Sequence, residues 1–481
     1  MVFETEAKNT NTGIGRHTNR PDGGSTECDA LGRTDCSGKV QPRKKPVVLV
    51  LAGSYLPGYK AGGPIRSIAN LVEALGDELD YRIVTSDRDL GEPKPYSEIE
   101  PNRWTQVGKA RVMYVPVGPR SLWNFIMVLS STPADILYLN SFFDRKYSML
   151  PALLRRLGLL HAKTVILAPR GEFSTGALQL KPWRKQAYIA MAGAIGLYRD
   201  LIWHASSQYE ERDIRRAFRG TEAAAEARPI ADGRSGEAKP ALKIVTALDV
   251  PQVGTSRPSE TPAFRRKPAG TVRLVFLSRI CRKKNLDGAI SMLNGLSGQV
   301  HFTIYGPAED HAYWQTCQNM ISSLPSNITV EYAGAVRHNL TEGVLSQNDV
   351  FFLPTLGENY GHVILEALRA GCPIVIGDQT PWRNLECEGV GWDLPLNEPK
   401  RFQQALQTCI DMAPEPFAEF SRRAKAFGMN QSTDAGVLEQ NTRLFCGLPG
   451  ESNQVFEGEI ARTPGNRAFT RAAQRECSNA G

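Results

Sequence analysis

The sequence predicts an α/β protein made of two Rossmann-like halves in tandem, and three stretches carry that prediction. The first runs from Pro46 to Thr85: a short apolar run, a glycine-rich loop, a stretch apolar at Ile65, Ile68, Leu71, Val72 and Leu75, then a second apolar run. The second starts at Val272 to Leu277 and repeats the order strand, basic loop, helix, with Leu286 to Leu296 as the helix. The third is residues 348–377, which read as strand (Val350 to Leu353), loop, helix (about 361–370) and strand (Pro373 to Ile376). Short apolar runs alternating with helical periodicity mark parallel sheets covered by helices on both faces.

A chain of 481 residues has room for two ordinary domains and tails. The expected layout is a disordered tail over 1–44, a first domain over 45–217, a linker over 218–270, a second domain over 271–428, a crossing helix over 429–446 and a disordered tail over 447–481. The tails are expected to be disordered because they are polar and nearly devoid of large apolar residues. With 41% apolar residues the chain can bury a core, yet pieces such as Phe125 to Leu129 fall far short of the roughly 18 residues of a membrane helix. No hydrophobic segment stands near Met1, so no signal peptide is expected, and the expected location, to which the cysteines point, is the cytoplasm or the cytoplasmic face of a membrane. A formal charge of +7 suits an anionic substrate or lipid surface and is too weak to argue for nucleic acid. Nine cysteines without C-x2-C pairing point to reduced thiols.

In chain order, the loop after the first strand ends in Gly62-Gly63-Pro64, where missing side chains let backbone amides approach an oxyanion; a plain tight turn is the alternative. The G-x-G-x-x-G fingerprint is absent, which argues against a nicotinamide cofactor. Asp87-Arg88-Asp89 has the D-x-D form of a metal-binding pair, a pattern common by chance. Ile136 to Asn140 is a strand that places Asn140 at its end. Thr164 to Leu167 leads into Pro169-Arg170-Gly171-Glu172, and a charged turn at a strand's C-terminal end is where open α/β sheets hold ligands. Lys181 to Tyr198 sets Lys181, Trp183, Arg184, Lys185 and Tyr188 before an apolar half; it suits either an anionic membrane surface or packing on the sheet. His204 reads as a satisfied core histidine.

From about Phe218 to Gly270 the composition turns to Ala, Glu, Arg, Pro and Ser, broken by one apolar run, Leu242 to Val250. Beyond it, Arg279 and Lys284 stand at a strand-to-helix junction where a planar fork and a point charge can converge on one diphosphate. The loop Gly357-Glu358-Asn359-Tyr360 and the helix start Gly361-His362 then bring a second anion seat, because the first amides of a helix point outward without internal partners. Glu358 and Glu366 flank that seat. Carboxylates are strong acceptors for sugar and ribose hydroxyls. Helices over Pro399 to Met412, Phe417 to Ala426 and Ala435 to Phe445 close the globular part.

The E-x7-E spacing of Glu358 and Glu366, followed by Ala-Leu-Arg-Ala-Gly-Cys-Pro, and the R-x4-K spacing of Arg279 and Lys284 resemble the retaining GT-B glycosyltransferases of family 4. The resemblance covers roughly residues 46–446, with its most specific motifs in the second half. It implies two Rossmann-like domains facing each other across a cleft, with the last helix crossing back to the first domain. It implies a nucleotide-diphosphate sugar as donor, bound without metal or other cofactor, and a saccharide or lipid-linked acceptor. Arg279 and Lys284 would hold the diphosphate, Glu366 the ribose and Glu358 the donor sugar. Gly62 and Gly63 would lie across the cleft from the donor, and Arg170 on the acceptor side. Asn359, Tyr360, Gly361 and His362 would line the donor pocket. The sequence departs from the pattern at two places. Asn140 stands where many members carry a histidine, and Val245 to Asp249 where they have a Pro-Asn-Gly-type turn.

Transfer of a sugar to an acceptor hydroxyl with retention is therefore the expected activity, in envelope polysaccharide or lipid-linked oligosaccharide synthesis. A sugar-nucleotide epimerase on the same fold and a non-catalytic donor-binding scaffold remain open at this stage.

Overall fold

In a computed structural model of the chain, residues 44–178, 182–226, 242–252 and 267–447 are described. The disorder expected of the tails concerns 1–43 and 448–481, outside the described residues, as do Lys181 and most of the expected linker.

The first lobe is built on eight strands: β1 (Val47–Leu51), β2 (Asp80–Ser86), β3 (Trp104–Val107), β4 (Ala110–Val115), β5 (Ala134–Asn140), β6 (Ala162–Ala168), β7 (Ile202–Ala205) and β8 (Lys243–Thr246). Their order is β3-β4-β2-β1-β5-β6-β7-β8, parallel except for β3, which runs antiparallel on β4. The second lobe has six parallel strands: β9 (Thr271–Leu277), β10 (Gln299–Tyr305), β11 (Ile328–Gly334), β12 (Val350–Leu353), β13 (Ile374–Gly377) and β14 (Gly391–Leu394). Their order is β11-β10-β9-β12-β13-β14. The expected GT-B fold is the one observed. Central strands β1, β12 and β13 are buried along their whole length, as their unbroken apolar runs require. No helix among the described residues is long and apolar enough to cross a membrane. Cys317, Cys372 and Cys409 are buried and form no disulfide.

Helices cover both faces of the first sheet. Pro119–Ser131, Leu150–Arg156, Pro182–Ala194 and Gln208–Glu226 pack on one face through Phe125, Leu154, Ile189 and Ile214. Gly63–Leu75 packs on the other through Ile68, Leu71 and Val72. The last helix, Ala435–Cys446, joins that second layer although its sequence follows the whole second lobe. Its Val437, Leu444 and Phe445 enter the first core, where the Phe445 ring meets Tyr138 edge-on at 5.0 Å and Tyr81 at 6.5 Å.

The stretch expected as linker carries structure that its composition hides. Helix Gln208–Glu226 runs through Phe218 without a break. Lys243–Thr246 becomes the edge strand β8, paired in parallel with β7. An edge strand is only half covered, so its residues are partly exposed and its pattern is polar.

The strand order fixes where ligands can sit. In the first sheet β1 has β2 on one side and β5 on the other, and in the second β9 lies between β10 and β12. The order in which strands are added reverses at each of these points, and the loops leaving β1, β9 and β12 part there to open a crevice. At the β9 end the backbone is packed so tightly that a Cβ on Gly306, whose φ is +141°, would fall 1.8 Å from the Ser278 carbonyl oxygen. Glycine is obligatory there, one residue from Arg279.

Phe445→Ala is expected to lose about 3–5 kcal/mol, because a buried ring leaves a cavity between Tyr81 and Tyr138. Met429→Ala, on an exposed position, is expected to change stability by less than about 0.5 kcal/mol. Denaturant unfolding of the two variants checks the contrast.

Candidate active site

The loops at the switch points face each other across a cleft of about 230 Å³. Gly62, Gly63, Arg66 and Ser67 form the first-lobe wall with Arg170 and Asp249. Arg279, Lys283, Lys284, His338 and the run Glu358 to Val363 with Glu366 form the second. Of the residues expected to hold donor or acceptor, all but Asn140 reach this one cavity.

The second-lobe wall holds a cluster of opposite charges. The Lys284 ammonium donates to Oε1 of Glu358, and the two side chains are only 11% and 12% exposed. Burial pushes the Glu358 carboxyl up, but Lys284, Lys283 and Arg279 outweigh it and hold the group below the ordinary carboxylate range. Arg279 pairs with Glu309 at 2.8 Å. Lys283, beside them, has no ion-pair partner among the described residues. Burial first, and then the neighbouring Lys284, lower its pKa. A desolvated, unpartnered cation beside two paired ones is a seat for an anion.

Glu366 sits in a different field. Burial raises its pKa to about 7, against the pull of His362, Arg66 and Arg369. His338 approaches it at 3.6 Å, too far for a hydrogen bond, and is itself depressed to about 4 by burial and by Arg66. The imidazole is therefore neutral at pH 7 and brings Glu366 no countercharge.

Where the lobes meet, a buried network replaces solvent. Arg170 donates from Nη1 to Oδ1 of Asp249 at 2.6 Å, with both side chains 7% exposed. The other Asp249 oxygen accepts from Ser67 Oγ at 2.7 Å and lies 3.7 Å from His362 Nε2, which is 3.1 Å from the same hydroxyl. Burial opposes the charge on Asp249, yet Arg170, His362 and Ser67 together keep its carboxyl well below the usual range. Arg170 also donates to the Tyr138 hydroxyl at 2.8 Å, and Tyr138 in turn meets His204 Nδ1 at 2.8 Å. His204 completes its bonding at the Ala247 carbonyl, so it is the satisfied core histidine expected. Gly171, next in the turn, donates its amide to Glu210 at 2.6 Å. With φ at +76°, a Cβ there would lie 2.3 Å from Asn359 Oδ1 of the opposite lobe. A side chain there would have to displace that of Asn359 and adopt a left-handed backbone, which glycine does without either cost.

One expectation needs restating. Asn140 does not line the cleft; its Oδ1 accepts from Arg170 Nε at 3.2 Å and Nη2 at 2.9 Å, so it stands behind Arg170 and aims it. Arginine offers only donors, which forces the amide oxygen toward it. Asp89 of the D-x-D run is spent on the amides of Tyr59 and Lys60, and Asp87 on Arg88. Asp249, Ser67, Lys283, Arg66 and His338 were not singled out. Their signal lies in contacts between residues far apart in the chain.

Comparison with known proteins agrees with the motifs. Residues 259–427 match the family model described as "Glycosyl transferases group 1". No curated protein matches the chain. Among solved structures, a sucrose-phosphate synthase from Thermosynechococcus elongatus superposes with a TM-score of 0.59 at 13% identity, covering 84% of this chain and 98% of that one. HepE of Anabaena, in complex with UDP and glucose, gives 0.58 at 15%, covering 84% and 100%. WaaG, a glycosyltransferase involved in lipopolysaccharide biosynthesis, gives 0.54 at 13%, covering 83% and 100%. The group 1 glycosyltransferase resemblance holds for the second lobe, and the GT-B fold for the chain as a whole.

Asp249→Ala leaves Arg170 buried without its countercharge and is expected to lose about 3–5 kcal/mol of stability. Because the Asp249 pKa is depressed in the fold, its contribution is complete above the unfolded carboxylate range and fades as pH falls below about 4. The acid-side slope of stability against pH is therefore expected to flatten in Asp249→Asn, measured by denaturant unfolding between pH 3 and 7.

Proposed function

We propose that the chain transfers a glycosyl unit from a nucleotide-diphosphate sugar to an acceptor hydroxyl, with retention of anomeric configuration and without a metal. One observation carries this reading: on the second-lobe wall of the cleft, at the switch points of the two sheets, the cations Arg279, Lys283 and Lys284 meet two carboxylates of opposite character, Glu358 and Glu366. The solved relative bound to UDP and glucose supports a nucleotide sugar as donor.

The chemistry follows from the charges. As the bond from the anomeric carbon to the diphosphate breaks, negative charge grows on the leaving oxygens and the sugar becomes oxocarbenium-like. Arg279, Lys283, Lys284 and the amides at the start of helix His362–Arg369 offer the countercharge, each positioned donor worth about 3 kcal/mol of barrier. Glu358 exchanges its bond to Lys284 for one to a sugar hydroxyl when the donor enters, which frees the ammonium for phosphate. Glu366 takes the ribose hydroxyls. The acceptor enters from the side of Arg170, and attack on the face left by the diphosphate retains the configuration. A saccharide or lipid-linked acceptor at the cytoplasmic face of a membrane, in envelope polysaccharide synthesis, is the setting we infer.

Saturation-transfer NMR against UDP- and GDP-sugars is expected to give binding of one donor set and its loss in Glu366→Ala; binding of neither removes the proposal. Lys284→Ala is expected to lower kcat about 10²–10³-fold, and product analysis is expected to give the donor's anomer. Release of a free epimerised sugar in place of a glycoside would assign the site to an epimerase instead. Donor affinity is expected to rise as pH passes about 7, because ionised Glu366 is the better acceptor; Glu366→Gln is expected to flatten that profile. The groups facing Glu366 are His338, His362, Arg66, Arg369 and Glu342, and His338 is already neutral above about pH 4.

A further inference from the structure

The helices on the outer face of the first sheet carry an unusual mixture of exposed apolar rings and unpaired arginines among the described residues. Helices Pro119–Ser131, Leu150–Arg156 and Pro182–Ala194 all pack on that face, each anchored in the same core. Their outward sides carry large apolar residues: Trp123 and Trp183 are each 68% exposed, Met127 and Met191 are also exposed, and so are Leu157 and Ile195 just past two of the helix ends. Residues 119–131, 145–171 and 173–199 contain no aspartate or glutamate. Arg145, Arg156, Arg184 and Arg199 are exposed, and none forms an ion pair among the described residues. On other helices Arg215, Arg216, Arg422, Arg423 and Arg443 each pair with an acid three or four residues away. A merely solvated helix face looks like those. The Arg184 guanidinium stands 5.0 Å from the centre of the exposed Trp183 ring, so charge and apolar area are presented together.

We propose that this three-helix face docks on an anionic lipid bilayer. Tryptophan settles at the interface between headgroup and acyl chain, and unpaired arginine is drawn to anionic headgroups. A second copy of the chain is a poor occupant, since a two-fold contact would set against these arginines the same segments, which hold no aspartate or glutamate to pair them. The segment leading to helix Pro182–Ala194 also meets the second lobe: a Cβ on Gly176 would lie 3.8 Å from Leu356, two residues before Glu358. The docking does not rest on the transferase reading.

The test is flotation of the full chain with vesicles of phosphatidylcholine alone and with phosphatidylglycerol added to about one third. Binding is expected with the anionic vesicles only, released by salt, and at least tenfold weaker in Trp123→Ser/Trp183→Ser and in Arg145→Ser/Arg156→Ser/Arg184→Ser/Arg199→Ser. Brominated acyl chains are expected to quench the wild-type tryptophan fluorescence, a readout that needs no variant. Donor binding measured without lipid is expected to be unchanged in both variants, so failure of docking and failure of the transferase reading are separable. No flotation with anionic vesicles, equal flotation of wild type and the tryptophan variant, or a dimer in solution dissolved by the tryptophan changes would each overturn the proposal.

Discussion

The geometry of the cleft depends on the buried ion pair of Arg170 and Asp249. Taking both charges out of water is expensive, and in a low-dielectric setting such a pair seldom gains stability over apolar packing. What it gains here is position. Asp249 follows the last strand of the first sheet, Arg170 closes β6, and the same carboxylate meets Ser67 from the first helix and His362 from the second lobe. Arg170 also sits at φ +56°, a backbone conformation that costs a non-glycine residue about 1 kcal/mol. The network of Asp249, Tyr138 and Asn140 around its guanidinium is what holds it there. Four chain segments are thereby fixed to a single carboxylate, and the two walls of the cleft take their spacing from it.

Within the cleft the two glutamates of one loop-helix unit are set apart by their neighbours. Glu358 is surrounded by lysines and is charged throughout the neutral range. Glu366, eight residues on, lies beside the neutral imidazole of His338, and its burial outweighs the pull of His362, Arg66 and Arg369, so it titrates near neutrality. The difference comes from which side chains the second lobe folds beside each. One carboxylate is arranged to stay ionised beside cations, the other to answer to what enters.

The sequence was legible where the chemistry is local. The unit around Glu358 and Glu366, and the turn with Arg279 and Lys284, are each a strand, a loop and a helix contiguous in the chain, so spacing alone reveals them. What could not be read depends on long-range contact. Ser67 and Asp249 are 182 residues apart, and Ser67 and His362 are 295 apart. Asn140 shows the same limit from the other side: its place at a strand end was plain, but only Arg170, folded in front of it, decides that it supports the wall and does not form it. The edge strand β8 was missed because an edge is partly wet and its composition says loop. The outer helix face was half seen. One helix hinted at it, while the two that widen it into a surface carry no motif.

The helix that returns from the end of the globular part has a consequence for how the chain is made. A ribosome that has delivered all eight strands of the first sheet has not yet delivered Val437, Leu444 or Phe445, which seal the side of that sheet holding Tyr81 and Tyr138. The first lobe must therefore wait, unsealed, while the second is synthesised and folds around its own six strands. Order of appearance and order of completion are reversed: the half that is made first is finished last.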